Sequence, residues 1–234
     1  EVEVRARVTG ILERQLFGEG EPIRAGAPMY RIERAPFEIA LAQARAALAE
    51  TQARAERATL EANRLQKLLA DRAISQREYD DAHSSRAQTQ AFLLAAKARV
   101  REAELNLSYT TVNAPIAGVT GRALRSEGSL VAPGGDSSLL TTITRTDPIW
   151  VRFSLSDAEF AQLRGADERA ASVRLVQADG SAYDRVGQLN FTGSTVDPKL
   201  GTVQLRAEFA NPSLSLLPGQ YVKAHVEIGA RQSF

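Results

Sequence analysis

Few residues of this chain are of types that do covalent chemistry, and no motif brings them together. There is no cysteine, which removes thiol catalysis, disulfides and Cys-ligated metal. The two histidines, His83 and His225, are far apart in sequence, so neither paired-histidine chemistry nor a His-rich metal site is expected. No Ser-His-Asp set, paired-carboxylate motif or phosphate-binding glycine loop occurs. The expectation is a protein without catalytic turnover, metal or cofactor. What remains is the chemistry of recognition. The stretch NRLQKLLADRAISQREYD (63–80) interrupts a helix-forming run. Within it Arg64 and Leu68 are spaced i,i+4, which places a planar guanidinium and an apolar side chain on one helical face. Ser75 opens a capping-box pattern, Ser75-x-x-Glu78, so it has a structural task whatever else it does.

The elements that present these residues can be read from periodicity. From Pro36 to Leu107 there is no glycine and no further proline. Strong helix formers dominate, and Pro36 suits a first helical turn. One seam runs Leu41, Ala44, Leu48, Thr51, Ala55, Ala58, Ala62, Leu65, Leu69. A second runs Tyr79, Ala82, Arg86, Thr89, Leu93, Ala96, Val100, Ala103, Leu107. Both keep 3-4 spacing, with Arg86 the one clear exception, and predict an antiparallel coiled-coil hairpin over 36–108. Its many alanines allow close approach of arms of about 45 to 52 Å. Glu50 and Arg54 form a favourably ordered i,i+4 pair. Leu65 and Leu69 occupy the seam, so Leu68 is surplus to it and is expected to be exposed. The hairpin is expected to be mobile, because only short segments near Ala35 and Tyr109 join it to the rest.

A repeat brackets the hairpin. Segment 8–32 holds Gly10, Gly20 and Gly26, and segment 116–143 holds Gly118, Gly128 and Gly134, with the same spacing. Each middle glycine follows a glutamate, Glu19 or Glu127, and precedes an aliphatic residue by three positions, Ile23 or Val131. Short apolar strands alternate with these turns, as in a small β-sandwich. Neither copy is large enough to bury a core alone. Residues 1–35 and 109–144 are therefore expected to fold together, with Gly20 and Gly128 in equivalent turns about a pseudo-twofold axis.

The remainder, 145–234, reads as a third module. Ile149, Val151, Phe153 and Leu155 alternate as in a strand. Ser156 and Glu159 form a second capping-box pattern, and Gly165 suits the end of a short helix. Strand-like runs then alternate with turn signals such as Asp179-Gly180. Asp197 and Asn211 precede prolines and read as turn residues. A small antiparallel β-barrel with one helix is predicted, and the whole is an α+β multidomain chain.

Composition closes off other classes. Lys+Arg (29) and Asp+Glu (28) nearly cancel, so nucleic acid is not an expected partner. No apolar run approaches the roughly 20 residues of a membrane span. Glu1-Val2-Glu3-Val4 already reads as a strand, and a mature or trimmed fragment is expected.

The order of half-sandwich, α-hairpin, half-sandwich and barrel resembles the periplasmic adaptor proteins, or membrane fusion proteins, of tripartite RND efflux pumps, the AcrA/MexA group. The segment VDPKLGTVQLRAEFANPSLSLLPGQYVKAHVE (196–227) resembles that family's barrel signature. The resemblance implies that the split sandwich is lipoyl-like. It also implies that Arg64, Leu68 and Ser75 match the Arg-Leu-Ser tip motif contacting a TolC-like outer-membrane channel. The implied setting is the periplasm of a Gram-negative bacterium, anchored to or associated with the inner membrane. The implied partners are an inner-membrane RND drug/proton antiporter, the channel, and further copies of the adaptor, commonly six. A membrane-proximal domain and an N-terminal anchor are expected to lie outside this chain. Adaptors of ABC-type exporters or type I secretion systems share the lipoyl halves, and the barrel signature favours the RND group. A biotin or lipoate carrier would need a lysine where ERAPFE (33–38) stands. A heavy-metal adaptor would want soft ligands, and the chain has only Met29.

Overall fold

The computed structural model describes residues 1–165 and 171–227. The first four strands are β1 (Val2–Arg5), β2 (Gly10–Gln15), β3 (Pro22–Ile23) and β4 (Pro28–Ile32). Two long helices follow, α1 (Ala35–Ala70) and α2 (Gln76–Ser108), and then β5 (Thr111–Asn113), β6 (Gly118–Thr120), β7 (Leu130–Val131) and β8 (Leu139–Thr144). The last part holds β9 (Ile149–Ser156), α3 (Asp157–Gly165), β10 (Ser172–Val176), β11 (Gly187–Asp197), β12 (Thr202–Phe209) and β13 (Lys223–Glu227). The strands form three sheets, ordered β1-β8-β6-β3, β5-β4-β2-β7 and β13-β10-β11-β12-β9.

The glycine repeat is visible in this topology. The shift in numbering that carries Gly10 to Gly118 carries β1, β2 and β3 onto β5, β6 and β7, and β4 onto the start of β8, which begins a few residues later. Under that exchange of labels the first two sheet orders become each other. Gly20 and Gly128 have φ of +74° and +85°, the left-handed region where a Cβ is penalised. The leading glycines serve a different purpose. A Cβ on Gly10 would lie 2.7 Å from Ile32 Cγ2, and one on Gly118 would lie 2.5 Å from the Thr144 carbonyl oxygen. The paired glutamates exchange partners across the repeat. The Ala123 N–H donates to Glu19 Oε1 at 2.9 Å, and the Gln15 N–H, at the equivalent position in the other copy, donates to Glu127 Oε1 at 2.8 Å.

By compactness the chain divides into two units. One comprises Val2–Pro115 with Gly121–Thr142; the other holds Ile116–Thr120 and the described residues from Ile143 onward. In the first, Leu12, Met29, Tyr30, Ile32, Val131 and Leu140 are fully buried. The Tyr30 hydroxyl donates to the Leu140 carbonyl at 3.1 Å, which satisfies the polar end of a buried ring, and burial pushes its pKa well above the usual phenol range.

The hairpin of this unit follows the predicted seams. Every seam position on both arms is buried or half-buried, Arg86 included, with Leu41, Ala55, Ala62, Ala96 and Val100 most enclosed. The seam threonines do not leave their hydroxyls unpaired. Thr51 Oγ1 donates to the Ala47 carbonyl at 2.7 Å and Thr89 Oγ1 to that of Ser85 at 3.0 Å, the back-bonding open to Thr inside a helix. Arg45 and Glu104 bridge the arms at 2.9 Å; both are exposed, so the pair contributes less than about 1 kcal/mol. The hairpin's roots carry more contacts than the sequence suggested. Thr110 is fully buried. Its carbonyl accepts from the Ile32 N–H at 2.7 Å, and the Glu33 N–H donates to the Ile11 carbonyl at 2.9 Å.

In the second unit, β9 and β12 pair without interruption from Ile149↔Phe209 to Ser156↔Thr202. Between β11 and β12 the register shifts twice. One core cluster gathers Ile149, Val173, Leu175, Tyr183, Ala207, Phe209 and Leu216. A second joins Leu163 of α3 to Ala171, Val203 and Leu205. The Ser156/Glu159 capping box forms: the Ser156 N–H donates to Glu159 Oε2 at 2.8 Å and the Glu159 N–H to Ser156 Oγ at 3.4 Å. Gly165 closes the described part of that helix, and the expected helix end beyond it lies outside the described residues. Asp197 is the turn residue expected, its Oδ1 accepting from the Lys199 N–H at 2.8 Å. Asn211 is more than that. It is fully buried, and its amide nitrogen donates to the carbonyls of Thr146 at 3.0 Å and Leu216 at 2.9 Å. Its Oδ1 accepts from the Leu216 N–H at 3.2 Å.

Candidate docking site at the hairpin tip

The tip is a four-residue turn, Asp71 to Ile74, between two helix caps. Helix α1 ends with Asp71 at the C-cap and Arg72 at a φ of +57°. The Arg72 N–H donates to the Leu69 carbonyl at 2.9 Å, and the Ala73 N–H to the Leu68 carbonyl at 2.8 Å. These paired bonds form a Schellman motif, which satisfies carbonyls the helix itself leaves open. Helix α2 begins at once: Ser75 is its N-cap, in extended conformation, with both arms of the capping box made.

Of the predicted residues, Leu68 and Ser75 belong to these two caps and Arg64 lies one turn before them. Arg64 and Leu68 share a face of α1, one turn apart, and Ser75 stands across the turn. The Arg64 side chain is 68% exposed, with Nη2 2.7 Å from Glu61 Oε1. Leu68 is half-buried, not exposed as the seam count suggested. The Schellman bond explains the difference, because it folds the chain at Ala73 back towards the last turn of α1. Ser75 Oγ donates to Glu78 Oε2 at 2.8 Å and accepts from the Glu78 N–H at 3.3 Å, so its hydroxyl is first a cap. The Ser75 backbone N–H, and then its hydroxyl, hold the Glu78 carboxyl below its usual range. The exposed cations Lys67 and Arg72 flank the same turn. Sequence reasoning passed over Arg72, because the usual signal for that backbone position is a glycine.

The tip therefore presents a guanidinium, part of a leucine and a polar turn on a rigid, capped base. These groups offer hydrogen-bond donors beside a small apolar contact. Among the described residues no three or more His, Cys, Asp or Glu are grouped to hold a metal ion, and no helix is long and apolar enough to cross a membrane.

Two family models match the chain: "RND MFP, alpha-helical hairpin domain" over 40–110 and "RND MFPs, beta-barrel domain" over 148–230. The chain belongs to the RND membrane fusion proteins. Among its relatives in this family, the efflux pump periplasmic linker BepD of Brucella suis is 40% identical over 96% of this chain and 59% of its own length. The multidrug efflux pump subunit AcrA of Escherichia coli is 39% identical over 97% of this chain and 59% of its own. The chain thus spans about three fifths of the length of these relatives. Among solved structures, MacA from Actinobacillus actinomycetemcomitans matches 98% of this chain and 75% of its own, with a TM-score of 0.68 and 20% identity. A MacA-MexA chimera carrying the Pseudomonas aeruginosa MexA α-hairpin matches 97% and 77%, with a TM-score of 0.68 and 22% identity. At such identities the likeness is one of fold.

Proposed function

We propose that this membrane fusion protein is the periplasmic adaptor of a multidrug efflux system. It links an inner-membrane RND transporter to a TolC-like outer-membrane channel. The observation that carries the reading is the long, alanine-seamed hairpin ending in a doubly capped tip, in a chain whose relatives are efflux pump linkers. A two-helix rod buries little apolar surface for its length, and reach is what it offers in return. Residues 1–35 and 109–144 act as the two halves of a lipoyl-like domain, 36–108 as the docking arm and 145–234 as the barrel module. Several copies, six by analogy with the family, surround a common axis between the two membranes. Arg64, Leu68 and Ser75 meet the channel, with Arg64 exchanging Glu61 for carbonyls or carboxylates of the partner.

The test is drug susceptibility of cells whose full-length protein carries Leu68→Asp or Arg64→Lys, with circular dichroism on the purified proteins. Leu68→Asp puts a charge into a desolvated contact, costing several kcal/mol of docking, and resistance is lost. Because Leu68 is half-buried, the dichroism must show the helices intact for that loss to count. Arg64→Lys keeps the charge and loses the planar fork, giving a partial defect with no change in fold. Wild-type resistance in the Leu68→Asp strain at normal expression removes the tip from the mechanism.

A further inference from the structure

Arg72 occupies a backbone position that its side chain disfavours. At a φ of +57° its Cβ crowds the local carbonyl oxygens, a penalty glycine does not carry. The Schellman bonds from the Arg72 and Ala73 N–H groups hold it there, and glycine is the residue that usually fills this place. The other left-handed residues of the described chain are glycines, except Leu214, which is half-buried and so has its side chain engaged within the molecule. Arg72 is exposed. Among the described residues it makes no ion pair, whereas Arg64 is held by Glu61. A cation near a helix C-terminus is favourable, but Lys67 already supplies one in the last turn of α1. Backbone preference, packing and internal ion pairing therefore give no reason for an arginine here.

We infer that Arg72 is a binding residue of the docking tip, the free guanidinium at its apex. Its partner is a surface of the channel presenting carboxylates or backbone carbonyls. A strained residue kept in a binding loop is one whose side chain is used there, and the planar fork suits paired oxygen acceptors. The inference rests on the reading of the tip as a docking site and adds to it a guanidinium that, unlike that of Arg64, has no internal ion-pair partner to displace.

The experiment compares Arg72→Gly, Arg72→Lys and Leu68→Asp in the full-length protein. Two readouts are taken: hydrogen exchange of the Ala73 amide, and drug resistance at matched expression. Arg72→Gly relieves the backbone penalty, so Ala73 exchange slows about fivefold while resistance falls. Arg72→Lys leaves exchange unchanged and gives an intermediate resistance. A stabilised Arg72→Gly protein with wild-type resistance overturns the inference, and exchange that is unchanged or faster removes its premise of strain. Where Leu68→Asp abolishes resistance and Arg72→Gly does not, only the role of Arg72 falls. Where neither affects resistance, the docking reading falls with it.

Discussion

Replacing Asn211 by alanine tests whether one buried amide holds the barrel unit together. The side chain bridges Thr146, just before β9, and Leu216, in the loop leading towards β13. Alanine leaves the carbonyls of Thr146 and Leu216 and the N–H of Leu216 without those partners. A buried group so stranded costs about 1 to 3 kcal/mol, with carbonyls at the lower end, so the total comes to roughly 3 to 5 kcal/mol. The Asn211 backbone N–H keeps its bond to Asp147 Oδ1 at 2.8 Å, and the loss is therefore one of the side chain alone. The chain has a single tryptophan, Trp150 in β9, so its fluorescence follows the barrel unit, while dichroism at the helix band follows the hairpin. Urea titration of Asn211→Ala should shift the fluorescence transition far to lower denaturant and leave the helical one in place. Asn211→Asp, nearly the same shape, turns an oxygen towards two carbonyls. Its buried carboxyl would titrate above the unfolded value, so the folded form would bind the extra proton. Stability relative to wild type should then fall as pH rises through that interval. A fluorescence transition displaced by less than about 1 kcal/mol in Asn211→Ala, or equal displacement of both transitions, refutes the reasoning.

Two further outcomes are expected. Glu19→Ala and Glu127→Ala remove equivalent carboxylate caps from the two copies of the repeat; each should cost about 1 kcal/mol, discounted for exposure. Urea titrations giving clearly unequal costs would contradict their equivalence. At the tip, Glu78 is held below its usual value of 4.5 by the Ser75 backbone N–H and then its hydroxyl. The folded form therefore binds fewer protons than the unfolded one, and the capping contribution is present above about pH 4.5 and lost as pH falls through the lowered pKa. Thermal melts followed by helix dichroism should show this acid loss in wild type and a flatter dependence in Ser75→Ala, and identical profiles would dismiss the box as a stabiliser.

How much of this was legible in the sequence depended on whether the cause was local. Both helical seams could be read because 3-4 spacing is a property of the chain itself, and each seam position is at least half enclosed. The repeat was legible because glycine at a fixed spacing marks backbone demands that no other residue meets cheaply. Its exchange of Glu19 and Glu127 was visible only as two Glu-Gly pairs, since a partner a hundred or so residues away has no local signature. Asn211 read as a turn residue because Asn-Pro is a turn signal, and its burial arises from strands far off in sequence. Leu68 was misjudged because counting seam positions ignores how the chain leaves the helix. That exit depends on a left-handed Arg72, and nothing in the residue type announces it.

The two caps also explain why the tip can vary while the arm holds. The arm is stabilised along its length by many small contacts between alanines and scattered leucines. The caps at Arg72 and Ser75 are closed by backbone groups and by Glu78, so the turn needs little from the side chains of Arg64, Lys67 or Arg72 to keep its shape. Those side chains are free to be selected for what they touch. Leu68 is the exception, shared between the packing of the last turn and the surface. A polar substitution there strains both roles, whereas the arginines can be exchanged with the rod intact, and it is through them that the recognition chemistry of the tip can be separated from its fold.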